Sequence, residues 1–428
     1  MRSLPIEIRC DGGCGRKSAV ILAHRIRLVP TCEQERYFAR ACGVARFAYN
    51  WALAEWKRAY ERGEKPSEVA LRKALNARKH AEFPWMREVT KNAPQQAIKN
   101  LGRAYTNFFD DLNKYRRKEI PWKRVRAPKF KKKGKTRECF RADNGPDKQH
   151  PHAVQTGGKR VRLPCIGWVR MREEVRFTGR ILSVTISRQA DAWYASFSIE
   201  IEYEPEGRTD ASVVGVDLGI TALATFSDGT PKVPAPKPLR RYLQRLKRLA
   251  RGYSRTQRGS NNRAKAKTKL ARLHRRIADI RADVLHKLTT KLTRYRTVVI
   301  EDLNVAGMLA NRHLSRAIAD VGLFEFRRQL DYKAAMAGST VVVADRWFPS
   351  SKQCSACGVK PVPFRDGTGN ENLTLSERFW TCLSCGTSHD RDINAARNLA
   401  RYPESWAGSA CGAEGAGDGQ QTVVKPAA

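Results

Sequence analysis

The alternation of apolar and polar positions changes period several times along the chain, and each change marks a boundary between predicted elements. Residues 18–30, SAVILAHRIRLVP, read as a strand, with apolar and polar positions in near alternation. From Thr31 the apolar spacing becomes three and four. Thr31 with Gln34 three residues on makes a capping pair for a helix running through EQERYFARACGVARFAYNWALAEWKRAYERGEK. Helical spacing also covers Ser67 to Lys79 and Pro94 to Tyr115, so this region reads as an all-helical insert. Its aromatics Phe47, Tyr49, Trp51, Tyr105, Phe108 and Phe109 are read as helix-packing core in preference to base-stacking platforms. From Val161 to Glu204, VRLPCIGWVRM, GRILSVTISRQ and AWYASFSIEIEYEP alternate again with turn signals between them. They predict antiparallel strands of a small barrel or sheet with basic outward positions.

Further along, apolar runs replace alternation. Val213–Val216 and Val298–Ile300 read as buried strands, ALATFS as the hairpin partner of the first, and TVVVAD as another strand. Leu270, Leu273, Ile277, Ile280 and Val284 form the seam of a long helix or helical pair. Helices are also predicted from Ile318 to Gly338 and from Ile393 to Tyr402.

Both buried runs end in a carboxylate, Asp217 and Glu301, and Asp392 opens the last helix. Side chains alternate faces along a strand, so Asp302 points away from Glu301 and leaves Glu301 the better candidate. An acid ending a buried strand is costly unless it is paired or binds a metal. Asp392 has a second reading, as an N-terminal helix charge or cap. Together the three acids could hold divalent metal for phosphodiester hydrolysis.

The composition says what such a site would act on. There are 81 Lys+Arg against 42 Asp+Glu, a formal charge of +39 and a pI near 10.3. The natural partner is a polyanion, nucleic acid first. Between Lys114 and Arg137 thirteen Lys or Arg accompany one acid, Glu119, with Trp122 and Phe130 interleaved. This favours a phosphate contact strip over a solvated linker, because like charges repel unless a polyanion neutralises them. From Arg240 to Arg296 twenty cations accompany two acids, Asp279 and Asp283, which again points to a nucleic-acid track. No apolar stretch reaches 18 residues and no leader pattern opens the chain, so neither membrane insertion nor secretion is expected.

Of eleven cysteines, Cys354 and Cys357 in CSACG and Cys382 and Cys385 in CLSCG make two Cys-x-x-Cys knuckles, each followed by Gly. That spacing matches a four-thiolate tetrahedral Zn²⁺ site, whereas a redox reading needs only one such pair. With no open position the zinc would be structural. Cys10 and Cys14 in CDGGCG lack a second pair and are expected to be unliganded. Cys32, Cys42, Cys139, Cys165 and Cys411 read as core or surface thiols.

The order of these elements resembles the RNase H-like fold in its RuvC form, with a zinc ribbon inserted before the last helix. More specifically, GVDLGI (215–220), IEDLNV (300–305), FPSSKQCSACG (348–358), WTCLSCG (380–386) and HDRDINAARNLA (389–400) resemble the TnpB family of OrfB-type insertion sequences. The compact type V CRISPR effectors related to that family share the resemblance. It implies an α/β RuvC-like nuclease domain with an inserted four-cysteine ribbon, and an N-terminal wedge-like β-barrel carrying the helical recognition lobe. The implied boundaries are an extension at 1–21, the barrel at 22–30 and 116–205, and the lobe at 31–115. The nuclease follows at 206–349 and 389–402, around a ribbon at 350–388, with a Gly- and Ala-rich tail at 403–428 expected to be disordered.

The resemblance further implies an RNA-guided DNA endonuclease of a transposable element, or a compact type V effector, in the prokaryotic cytoplasm with the nucleoid. Its partners would be a guide RNA and double-stranded target DNA bearing a short flanking motif. The family's catalytic acids fall on Asp217, Glu301 and Asp392, expected to hold two Mg²⁺ ions about 4 Å apart, one activating water and one stabilising the leaving 3′ oxygen. His389 and Arg391 flank Asp392; for His389 a phosphate contact and a structural hydrogen bond both stand. Two other readings are an RNA-guided repressor that has lost cleavage, and a transposase that uses the same acids for strand transfer. Retention of all three acids weighs against the first, and the close motif match weighs against the second.

Overall fold

The computed structural model describes residues 8–9, 18–145, 152–203, 212–359 and 377–402. The expectations for Cys10, Cys14 and Cys411, for most of the N-terminal extension, for residues 360–376 and for the tail lie outside them. The chain divides into two compact units, residues 1–204 with 256–275 and residues 205–255 with 276–428.

In the first unit, strands β1 (Ile8–Arg9) and β2 (Ser18–Val29) precede helices α1 (Cys32–Glu61), α2 (Glu68–Arg78) and α3 (Asn92–Arg116). Strands β3 (Cys139–Asp143), β4 (Gln155–Gly157), β5 (Arg160–Leu163), β6 (Gly167–Met171), β7 (Arg180–Gln189) and β8 (Ala192–Tyr203) follow. They form one antiparallel sheet in the order β3-β7-β8-β2-β6-β5-β4, with β1 on β2. The helix start is the one its sequence dictates: Thr31 Oγ1 accepts the Gln34 N–H, and the Gln34 side chain accepts the Thr31 N–H. Phe38, Leu53, Ile98, Leu101, Trp193 and Phe197 lie in one core that joins helices to sheet.

The aromatics of the insert follow the packing reading, with one on the rim. Tyr49 and Tyr105 are buried, Phe47, Trp51 and Phe108 pack against the same core, and Phe109 is exposed. The basic strip is not uniformly free for phosphate. Lys131 has its ammonium 3.8 Å from the Tyr49 ring centre, and burial pulls its pKa below the usual lysine value. Among the helical arginines, Arg272 and Arg275 both donate to Asp191.

The second unit opens with β9 (Val213–Asp217), β10 (Ala222–Phe226) and β11 (Val233–Pro234). The basic stretch is a helical pair, α4 (Pro238–Ser254) and α5 (Asn261–Leu292), of which α5 up to Arg275 belongs with the first unit. Then come β12 (Thr297–Glu301), α6 (Val305–Ala310), α7 (Ser315–Val321), α8 (Leu323–Ala337) and β13 (Thr340–Ala344). The ribbon hairpin β14 (Phe379–Thr381) and β15 (Ser388–Asp390) leads into α9 (Arg391–Ala400). The helix expected from Ile318 to Gly338 is two helices, because Gly322 adopts φ +80° and ends α7.

The sheet order is β11-β10-β9-β12-β13, with β9, β12 and β13 parallel and β10 and β11 antiparallel on one edge. Val214, Val216, Ile300, Leu285 and Phe326 are fully buried in its core, which is why the sequence of β9 and β12 reads as continuous apolar runs. The start of α4 is fixed by Asp320 on α7, which is 2% exposed. Its carboxylate accepts the N–H groups of Leu239 and Arg240 at 2.8 and 2.9 Å, and Arg281 from α5 donates to it and to its carbonyl.

Candidate active site

Parallel pairing brings the strand-end acids side by side. Val216 is the cross-strand partner of Ile300, so Asp217 and Glu301 leave neighbouring strands at the same level and on the same side. Helix α9 packs on β9, β10 and β12 and contributes Asp392. Gly215 permits that close packing. A Cβ there would stand 2.0 Å from the Ala396 carbonyl oxygen and 2.4 Å from the Ala400 nitrogen.

The second reading of Asp392, as the helix cap, falls to its neighbour. Asp390 is the N-cap, and its Oδ1 accepts the N–H groups of Asp392 and Ile393 at 3.0 and 3.1 Å. Asp392 is thereby left with its side chain toward two cations. Lys232 Nζ lies 2.9 Å from both Asp390 carboxylate oxygens and 3.1 Å from Asp392 Oδ2, and Arg378 Nη1 lies 3.3 Å from Asp392 Oδ1. Asp302, one residue past the end of β12, pairs with Arg346 at 2.6 Å.

The electrostatics report a crowded anionic centre. Burial, then the charges of Glu301 and Asp392, push the Asp217 carboxyl up to about 8, against weaker pulls from Arg391 and Lys232. Burial works against the charge on Lys232, yet its bonds to Asp390 and Asp392 hold its pKa above the usual lysine value. Burial likewise opposes ionisation of Asp390, and Lys232 with the α9 amides outweighs it and draws the pKa down.

The four knuckle cysteines meet. Their sulfurs all lie within 4.8 Å of one another, with Cys354 to Cys385 and Cys357 to Cys382 both 3.7 Å apart. Tetrahedral zinc with bonds of about 2.3 Å sets its sulfurs about 3.8 Å apart, so the donor set fits that ion. The glycine after each pair has a physical reason. Gly358 and Gly386 adopt φ +76° and +70°, and their N–H groups return to the carbonyls of Cys354 and Cys382. Among the described residues the carboxylates do not close to within the same 4.8 Å as a group of three.

His389 belongs to the ribbon. It is buried, with its ring tilted against Trp380 at 4.8 Å and its Nε2 3.1 Å from Cys354 Sγ, so the structural hydrogen bond is the observed one.

A second set of residues, which the sequence reading did not single out, ties the first knuckle to the acids. Ser350 Oγ donates to Glu301 Oε1. Asn398 Nδ2 donates to the carbonyls of Ser350 and Gln353, and Asn394 Nδ2 to that of Gln353, each at 2.7 Å. Asn394 Oδ1 accepts the Ser355 N–H at 2.8 Å, and Arg401 donates to the Ser355 carbonyl. Asn394 and Asn398 stand four apart on α9 and are both buried. Two asparagines at that spacing on a helix face otherwise buried are a signal that the sequence did offer.

Three family descriptions match the chain: OrfB_IS605, "Probable transposase", over residues 196–312; "Cas12f1-like, TNB domain" over 324–399; and "Helix-turn-helix domain" over 19–65. The last falls on β2 and on α1, which here is a single helix of 30 residues. A Streptomyces pristinaespiralis protein named "Putative RNA-guided DNA endonuclease" is 40% identical over 394 residues, 91% of this chain and 90% of that one. InsQ of Escherichia coli K12, with the same description, is 34% identical over 397 residues, 88% of this chain and 91% of its own. The "CRISPR-associated endodeoxyribonuclease Cas12f1" of Sulfoacidibacillus thermotolerans is 26% identical over 225 residues, 49% of this chain and 50% of that one.

Proposed function

Since the chain belongs to the family of RNA-guided DNA endonucleases that these insertion-sequence relatives represent, we propose that it cuts DNA at Asp217, Glu301 and Asp392 once a guide RNA has paired with the target. The second unit is read as the RuvC form of the RNase H-like fold, its sheet and α9 bearing the acids and its four cysteines a structural zinc. In the first unit, residues 22–30 and 116–205 are read as the wedge-like barrel and 31–115 as the recognition lobe. Base pairing supplies sequence, while the basic surfaces need only hold backbone and read the flanking motif.

The observation that carries this reading is the Asp217 carboxyl, held up to about 8 by burial and by Glu301 and Asp392. Three acids packed where their charges repel make an arrangement that a divalent cation relieves. Mg²⁺ held by these carboxylates would supply an activated water and stabilise charge on the leaving oxygen. The chain's own residues prepare the place. Gly215 lets α9 close on β9, Ser350 fixes one oxygen of Glu301, and Lys232 and Arg378 orient Asp392.

The test is co-expression with the gene's flanking DNA, isolation of bound RNA, and Mg²⁺-dependent cleavage of matched plasmid libraries beside an Asp217→Ala control. Guide-dependent cuts that vanish in the variant are expected, together with a Mg²⁺-induced rise in unfolding temperature that the variant lacks. RNA and DNA binding without cuts would establish the repressor instead. Strand-joined products would establish the transposase, the reading favoured by the description of the matched family.

A further inference from the structure

Two large aromatic rings stand in solvent on the segments that follow β13 and lead into β15, and each directly follows an arginine. Trp347 is 85% exposed and Phe379 is 76% exposed. In the first pair, Arg346 holds Asp302, the neighbour of Glu301, at 2.6 Å. In the second, Arg378 lies 3.3 Å from Asp392. In each, the guanidinium holds a carboxylate and the aromatic neighbour is left in solvent.

Both rings are placed by fixed backbone. Trp347 comes three residues after Ala344, the cross-strand partner of Glu301. Its N–H is held by Asp345 Oδ1 at 2.8 Å, and the next residue, Phe348, packs edge-on against Tyr402 at 5.0 Å. Phe379 is the cross-strand partner of Asp390, whose carboxylate holds Lys232. Directly opposed residues of an antiparallel pair share a face with Cβ atoms about 5 Å apart, so Phe379 stands over the capping carboxylate. Its neighbour Trp380 faces the other way and is buried. Each segment therefore packs one aromatic inward, Phe348 partly buried and Trp380 buried, and presents another to water; Lys232 and Arg378 hold Asp392, and Arg346 holds Asp302.

Exposed rings beside cations are the arrangement that holds unpaired nucleotides, because every base has a π-face to stack and a phosphate to neutralise. Bases inside a duplex have both faces covered by their neighbours. We propose that Trp347 and Phe379 are stacking platforms for bases of single-stranded DNA at the carboxylates, one on the Glu301 side and one on the Asp392 side. They make the site selective for unpaired strand. This rests on the nuclease reading of the same acids.

The experiment uses the RNA-loaded protein with Ca²⁺ in place of Mg²⁺ and target DNA carrying 2-aminopurine at single positions along its unpaired strand. In the unaltered protein the probe is quenched at positions next to the cut. Trp347→Ala and Phe379→Ala each restore emission at one of those positions, while Trp347→Phe and Phe379→Tyr keep the quench. With Mg²⁺ and a pre-opened target, each alanine variant raises the DNA concentration for half-maximal cutting about tenfold, with bound RNA and unfolding temperature unchanged. Emission that is the same in the unaltered and alanine proteins overturns the platforms while cutting by the unaltered protein preserves the nuclease. A lowered unfolding temperature with unchanged emission assigns the rings to the fold and also overturns the proposal. Absence of any guide-dependent cut by the unaltered protein overturns both readings.

Discussion

Replacing Asp217 by Asn is expected to stabilise the metal-free protein while abolishing its cutting. The carboxyl is held at about 8 against an ordinary value of 3.8 by burial and by the charges of Glu301 and Asp392. That difference of about four units, at about 1.36 kcal/mol each, bounds the effect at about 5 kcal/mol. Relaxation of the ionised site and entry of water bring the expected gain to about 2–3 kcal/mol. The sign follows from proton binding: between about pH 4 and pH 8 the folded chain keeps a proton that the unfolded chain has released, so folded stability falls as pH rises through that window. Asn carries no charge to bury. The advantage of Asp217→Asn is therefore small near pH 4.5 and full near pH 8.5, where it raises the unfolding temperature of a unit of about 200 residues by about 5–10 °C. Calorimetric scans at the two pH values, with zinc retained and Mg²⁺ omitted, measure it. Added Mg²⁺ then narrows the gap by stabilising only the unaltered chain. A variant no more stable at pH 8.5, or equally advantaged at both pH values, refutes the crowding of acids on which the site reading depends.

Gly215→Ala sets a methyl 2.0 Å from the Ala396 carbonyl and displaces α9; an overpacking loss of about 1–3 kcal/mol and a fall of about a hundredfold in cutting are expected from thermal unfolding and cleavage assays. Asn398→Ala removes one amide from two buried-loop carbonyls, those of Ser350 and Gln353, and should lower the urea midpoint by an amount equal to about 1–3 kcal/mol, with no change in slope. Asp320→Ala leaves the Arg281 guanidinium and the first turn of α4 without a buried carboxylate, a loss of about 3–5 kcal/mol read by the same titration. Stripping zinc with a tight chelator should release one ion per chain by metal analysis and abolish cutting, because Asn398 ties Ser350, which holds Glu301, to the Gln353 carbonyl beside the first knuckle.

Much of this architecture was legible because its determinants are local. Alternation marks β2, β7 and β8, the Thr31–Gln34 pair announces α1, and the glycines after the cysteine pairs occupy the φ that each knuckle requires. The break between α7 and α8 was not legible, since the apolar spacing runs through Gly322 and only its left-handed backbone decides the matter. Gly215 was legible in kind, as a glycine interrupting a buried strand, but what approached it was not. The acids themselves announced their candidacy through position at strand and helix ends. Their countercharges did not: Lys232 is 160 residues from Asp392 and lies on no periodic face, and its role exists only through tertiary contact.

Those countercharges bear on when the site becomes competent. Burial and the charges of Glu301 and Asp392 hold the Asp217 carboxyl up to about 8, and Asp392 is paired with Lys232 and Arg378. A divalent cation favours the ionised form of Asp217, and a phosphate brought beside Lys232 and Arg378 competes with Asp392 for both cations. Each event makes the other easier, and such coupling is reciprocal for binding free energies. An anionic strand arriving at this site should therefore tighten its hold on metal, and metal its hold on the strand. Lys232 and Arg378, which pair with Asp392 in the free chain, are thus the residues through which the proposed assembly would depend on substrate.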